Sequence, residues 1–239
     1  MSHSDDAKKL GVAKKVLAQP GMRAMIAFVV VVVALVVALW PRGGDEPSAS
    51  SPASQTPTSG VTDAGASADE IAQARTAAAL AACPSGTGPA AGALAGVSAP
   101  CMADGQVIDL GAVTAGKPLV INMWAVWCLP CRRELPLFDE LAAASGDRLN
   151  VLAVHAKEGA EKEFFVLKFL QELNAHLPVV TDPRGDIAQA VAAPRVFPST
   201  VMIRADGTVA AVLPRVFDTY QDLTASVRDH LGVDVGATS

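Results

Sequence analysis

From Gln106 onward, apolar and polar positions switch repeatedly between strand spacing and helix spacing. Gln106–Leu110 predicts a short strand, and Leu119–Trp124 (LVINMW) is an unbroken apolar run of the kind a strand buried on both faces carries. Residues 129–144 (LPCRRELPLFDELAAA) have helical spacing, with Pro136 marking a kink. Leu149–His155 predicts a second buried strand, and Glu161–Asn174 a helix with charges between its apolar positions. Val179–Thr181 follows as a brief strand and Gly185–Ala192 as a short helix. Thr200–Arg204 and Thr208–Leu213 flank Asp206-Gly207, a strong hairpin signal, and Asp218–Leu231 closes the chain as a helix. Strand–helix units followed by a hairpin and a final helix predict an α/β fold, a mixed central sheet flanked by helices.

The N-terminal part has a different pattern. Ala24 to Trp40 runs without a charge, at the short end of the roughly 17–25 residues that cross a bilayer. A cleaved signal peptide would have a shorter core and a small-residue cleavage site, whereas this run ends in Trp40-Pro41-Arg42. Residues 24–41 are therefore expected to be a transmembrane anchor. Lys8, Lys9, Lys14, Lys15 and Arg23 precede it against Asp5 and Asp6, which places residues 1–23 in the cytoplasm and the rest outside.

Residues 42–68 are rich in Pro, Ser, Thr, Ala and Gly and predict a flexible, disordered linker. Residues 69–105 form an N-terminal extension, with a short helix over 69–82, and 106–239 the globular domain. The string Leu80-Ala81-Ala82-Cys83 has the form of a lipidation signal, but Arg75 interrupts the apolar run before it and it stands far from the N-terminus. Residues 24–239 hold 14 Lys/Arg and 22 Asp/Glu, a balance of −8, which argues against a nucleic-acid partner.

The four cysteines carry the chemistry. Cys128-Leu129-Pro130-Cys131 is a C-x-x-C directly after a buried strand and at the start of a predicted helix. Free N–H groups and the helix dipole at that end favour a thiolate, so Cys128 is the expected attacking group. Cys131, one turn in, is placed to break the mixed disulfide, and Pro130 suits a first turn. The same spacing could be half of a zinc site, or a purely structural bridge. No second C-x-x-C exists, however, and His3, His155, His176 and His230 are scattered, so no metal and no cofactor is assigned. Cys83 and Cys101 lie in Pro/Gly/Ala-rich chain; a second redox couple or a metal-ligand pair stands against the plainer reading, a structural disulfide stapling the extension.

The stretch Trp124-Ala125-Val126-Trp127-Cys128-Leu129-Pro130-Cys131-Arg132-Arg133-Glu134-Leu135-Pro136 resembles the active-site segment of thioredoxin-like proteins, and more narrowly of the TlpA/ResA group of membrane-anchored thiol–disulfide oxidoreductases. Val196-Phe197-Pro198-Ser199-Thr200, followed by a strand and Asp206-Gly207, resembles that family's cis-proline loop and closing hairpin. The likeness covers roughly residues 95–232. It implies a thioredoxin-like fold, Cys128 as nucleophile and Cys131 as resolving thiol. It also implies a substrate-binding surface of Trp127, Phe197 and a cis Pro198. Ordinary core packing remains the alternative for one of Trp124 and Trp127. Two departures stand out. Asn122 occupies the place of a buried aspartate in many thioredoxins, and the two residues between the cysteines are neutral. Glu134, one turn past Cys131, is either a base or a helix-surface or structural carboxylate, which leaves the base unassigned.

The resemblance implies protein thiol or disulfide substrates and a membrane electron-transfer partner. The expected activity is reduction of exported thiols, such as apocytochrome c cysteines. The alternatives are a disulfide-introducing oxidase, a Sco-like copper chaperone, or a non-catalytic binding module.

Overall fold

The computed structural model describes residues 28–35 and 66–236. Residues 28–35 are helical and exposed, within a unit Met1–Thr56; the remainder belongs to a second unit, Pro57–Ser239. Among the described residues no helix is long and apolar enough to cross a membrane. The rest of the 24–41 span, residues 1–23 and nearly all of the 42–68 linker lie outside the described residues.

The elements of the second unit run α1 (Ala68–Ala78), β1 (Ser98–Pro100), β2 (Val107–Asp109), α2 (Leu110–Val113), β3 (Leu119–Trp124), α3 (Leu129–Ser145) and β4 (Asn150–His155). They continue with α4 (Glu163–Leu173), β5 (Val179–Thr181), α5 (Asp186–Ala190), β6 (Ser199–Ile203), β7 (Val209–Leu213) and α6 (Tyr220–Leu231). Five strands form one sheet in the order β5-β4-β3-β6-β7. β3, β4 and β5 are parallel, while β6 runs antiparallel to β3 and β7 antiparallel to β6. The expected thioredoxin-like α/β fold with a mixed central sheet flanked by helices is therefore present.

β3 is central, so both its faces are covered and every residue in it is buried. Val120 and Trp124 face a core shared with Leu135 and Phe138 of α3, Val166 and Leu170 of α4, and Leu223 of α6. Leu119, Ile121 and Met123 face the other core, with Leu110, Val113 and Ile187. Helix α3 continues through Pro136 as one element. The hairpin turns at Asp206-Gly207, where Gly207 has φ +81° and an added Cβ would stand 2.8 Å from the Ala91 carbonyl oxygen.

Two expectations are corrected. The strand expected over Gln106–Leu110 stops at Asp109, because the Asp109 carboxylate accepts from Ala112 N–H (3.2 Å) and caps a helical turn from Leu110. The helix expected over 69–82 spans Ala68–Ala78: a Ser67/Glu70 capping box starts it and Ala79, at φ 48°, ends it.

The extension is fastened to the domain at several points. Arg75 pairs with Glu163 at 2.6 Å, and β1 forms a small antiparallel ribbon with β2. Cys101 bridges Val180 and Met102 N–H donates to Val179 O (2.9 Å), so this segment covers the β5 edge of the sheet. Cys83 and Cys101 form a disulfide across a sequence separation of 18. Replacing both by alanine is expected to lower stability by about 3 kcal/mol, the chain-entropy value for a loop of this size. Urea unfolding of the double variant measures this, and an unchanged midpoint would show that the bridge fastens nothing.

Candidate active site

The Cys128–Cys131 pair sits where β3 gives way to α3. Cys128 is the N-cap of α3, and its Sγ accepts from Cys131 N–H at 3.2 Å. Leu129 and Pro130 fill the first turn, where a missing N–H costs nothing. The two sulfurs are joined as a disulfide with Cα atoms 5.3 Å apart. Cys131 is fully buried, whereas Cys128 keeps 3% of its surface exposed. Attack can therefore come only at Cys128, where a thiolate would also receive the helix N-terminal donors.

Two exposed apolar side chains flank this sulfur in the chain: Trp127 is 60% exposed and Leu129 is exposed, while Trp124 is wholly buried; the two tryptophans thus divide between surface and core. The Phe197–Pro198 peptide is cis. Phe197 meets Trp127 edge-on with ring centroids 5.7 Å apart, which brings the proline loop against the C-x-x-C turn. The sequence-predicted residues Trp127, Cys128, Cys131, Phe197 and Pro198 are thus brought together. Cys83 and Cys101 are paired apart from them, and that bond occupies the thiol a lipid would need.

Behind Cys131 lies a buried carboxylate. Glu134 is fully buried, not on the helix surface. Asn122 Nδ2 donates to one of its oxygens (2.6 Å) and Phe217 N–H to the other (2.9 Å). Burial pushes this carboxyl up to about 7, overcoming those two hydrogen bonds. A group that exchanges a proton near neutrality, one turn from the inner thiol, has the pKa of a general acid or base.

His155, at the end of β4, plays a part that only its three-dimensional neighbours reveal. Val126 N–H donates to its Nε2 (3.1 Å) and its Nδ1 lies 2.8 Å from Ala156 O, so the neutral ring carries its proton on Nδ1. The ring also meets Trp124 edge-on at 4.8 Å. It thereby holds the turn that ends in Cys128, whose own N–H donates to Ala125 O (3.0 Å). Burial pulls this imidazole down to about 4.

These two groups act on stability with opposite signs. His155 binds fewer protons folded than unfolded, so its contribution is complete above about 6.5 and is lost as pH falls toward about 4. Glu134 binds more protons folded, so its contribution is complete below 4.5 and is lost as pH rises through about 7. His155→Gln keeps an acceptor for Val126 but does not titrate. The stability gap between wild type and this variant is expected to widen by on the order of 3 kcal/mol from pH 4 to pH 6.5. Urea unfolding across that range measures it; parallel curves would contradict the assignment. Among the described residues no cluster of three His, Cys, Asp or Glu could hold a metal ion.

The family model described as Redoxin matches residues 82–225. The Thiol:disulfide interchange protein CycY of Rhizobium leguminosarum bv. viciae is 36% identical over 99 residues, 41% of this chain and 50% of that protein. The Thiol-disulfide oxidoreductase ResA of Halalkalibacterium halodurans is 28% identical over 110 residues, 46% of this chain and 60% of that protein. The chain spans about half the length of the curated relatives it matches. Among solved structures, MTB DsbF in its mixed oxidized and reduced forms superposes with a TM-score of 0.51 at 21% identity, covering 58% of this chain and 98% of that one. That likeness is one of fold.

Proposed function

Since the chain belongs to the Redoxin family, its match covering residues 82–225, we propose that it is a thiol–disulfide oxidoreductase of the TlpA/ResA type that reduces disulfides in exported proteins. The placement of Cys128 carries the proposal: an N-capping sulfur, marginally exposed, flanked in the chain by Trp127 and Leu129, and bonded to a buried partner one turn in.

In the reduced protein the Cys128 thiolate attacks a substrate disulfide. One substrate sulfur becomes bonded to Cys128, and the other leaves as a thiolate and takes a proton from water. Glu134, as carboxylate, accepts the Cys131 proton. The Cys131 thiolate then attacks the Cys128 sulfur and expels the second substrate thiolate. The substrate is reduced by two electrons and Cys128–Cys131 is oxidised to the disulfide. Trp127, Phe197 and Pro198 would receive the substrate polypeptide, with backbone groups at Phe197 pairing with its main chain. Apocytochrome c cysteines awaiting haem are the proposed substrate, and a membrane electron donor the proposed source of new electrons.

The uncharged run from Ala24 to Trp40 and the preceding Lys and Arg support a single-pass anchor with the domain outside the cytoplasm. The Cys83–Cys101 disulfide suits that compartment. Direction is read by the reduction potential of Cys128/Cys131, equilibrated against glutathione in the full chain. A reductase is expected near thioredoxin's value, about −270 mV; a value near −120 mV would instead make the protein an oxidase.

A further inference from the structure

A groove of about 520 Å³ opens beside Phe197, at the ends of β4 and β5, and its lining includes Lys157, Glu158, Asp182, Arg184 and Arg195. Its charge differs from that of the chain, which is −5 overall. Asp182 is buried, and its two oxygens accept from Ile187 N–H (3.2 Å) and Ala188 N–H (3.0 Å), which hold its carboxylate toward the start of α5. Arg184 is paired with Asp186 at 2.6 Å. Lys157 and Arg195 are exposed and make no ion pair among the described residues. The lining thus holds three cations, two of them unpaired, against the carboxylates of Glu158 and the buried Asp182. Phe197 also lines the groove and meets Trp127 edge-on, which links the groove to the C-x-x-C turn.

We propose that this groove selects substrates, receiving an acidic side chain that lies a few residues from the substrate cysteine. The proposal rests on the thiol–disulfide reading above. An extended chain advances about 3.3 Å per residue, so the proposal places the carboxylate about two to four residues from the reacting cysteine, on the run that passes Phe197. The pairing is solvent-exposed; it steers encounter and orients the peptide more than it tightens binding. Its occupant is an exported polypeptide with Asp or Glu beside a cysteine.

The test uses the reduced full chain and three otherwise identical peptide disulfides carrying Glu, Gln or Lys three residues from the cysteine. Single-turnover rates of thiol release are compared. At low salt the Glu peptide is expected to react about fivefold faster than the Gln peptide. That gap should close in about 0.5 M salt. In the Lys157→Glu/Arg195→Glu variant the order should invert, with the Lys peptide fastest. Equal rates for Glu and Gln peptides at low salt, or an unchanged order in the variant, would overturn the groove's role. In that case reduction of the Gln peptide by wild type but not by Cys128→Ser leaves the thiol–disulfide reading standing. If wild type reduces none of the three, that reading and the groove's role both fail.

Discussion

Cys128→Ser is expected to reduce disulfide exchange by about three orders of magnitude or more, to the level of the uncatalysed thiol reaction. A serine hydroxyl can still accept from Cys131 N–H and cap α3, as the Cys128 sulfur does, so the fold should survive. What is lost is the nucleophile, and the only remaining thiol at the site is wholly buried. Reduction of a model disulfide protein such as insulin, with circular dichroism to verify folding, measures this. Retained activity would move the chemistry to another residue. The Cys83→Ala/Cys101→Ala variant is the matching control, since it removes sulfur only from the extension and should keep turnover.

Glu134→Gln is expected to slow resolution of the mixed disulfide by about a hundredfold, the usual worth of a positioned general base. The wild-type rate should rise with pH through an inflection near the carboxyl's value of about 7. In the variant that inflection disappears, and the rise moves to the range of an unassisted thiol, about 8.5 or above. Packing should be preserved. Asn122 Oδ1 is buried without a hydrogen-bond partner, so a flip of the Asn122 amide lets it accept from the new glutamine NH₂ while Phe217 N–H keeps its acceptor. Stopped-flow measurement of the resolution step from pH 5 to 9 gives both readouts. An inflection that stays near 7 in Glu134→Gln would assign the proton to another group.

The sequence reveals local features far better than distant pairings. LVINMW stands out as a strand because β3 is covered on both faces, so no polar alternation interrupts it except Asn122. The C-x-x-C is readable because strand end, N-cap and first turn are contiguous residues. Asp206-Gly207 is readable because a tight hairpin depends on its own turn residues. Ser98–Pro100 is not readable: a three-residue ribbon strand containing proline has neither period nor β-branched bulk. Leu110 continues the apolar trend of the strand before it, and only the Asp109 cap shows that a helical turn has begun.

The site divides in the same way. Trp127, Cys128, Cys131, Phe197 and Pro198 lie within two short motifs. The buried state of Glu134 depends on Phe217, 83 residues away, and a carboxylate on a helix is ordinarily exposed. His155 acts through Val126, 29 residues earlier, and nothing in its own neighbourhood distinguishes it from a satisfied core histidine. The groove joins Lys157 and Arg195 from different loops. The His155 contact and the groove form where the ends of β3 and β4 and the start of β6 lie at one rim, whereas the Glu134 contact joins α3 to the segment between β7 and α6.

The central claim is that, of the four cysteines, Cys128 alone bonds covalently to the substrate and Cys131 alone releases it. Trapping tests this directly: the Cys131→Ser full chain, with Cys128 as its free thiol, is incubated with a peptide disulfide, digested without reduction and read by mass spectrometry. The account predicts one stable mixed disulfide, on Cys128, with Cys83 and Cys101 still joined to each other. An adduct on Cys83 or Cys101, or no adduct while wild type turns over the same peptide, would contradict it.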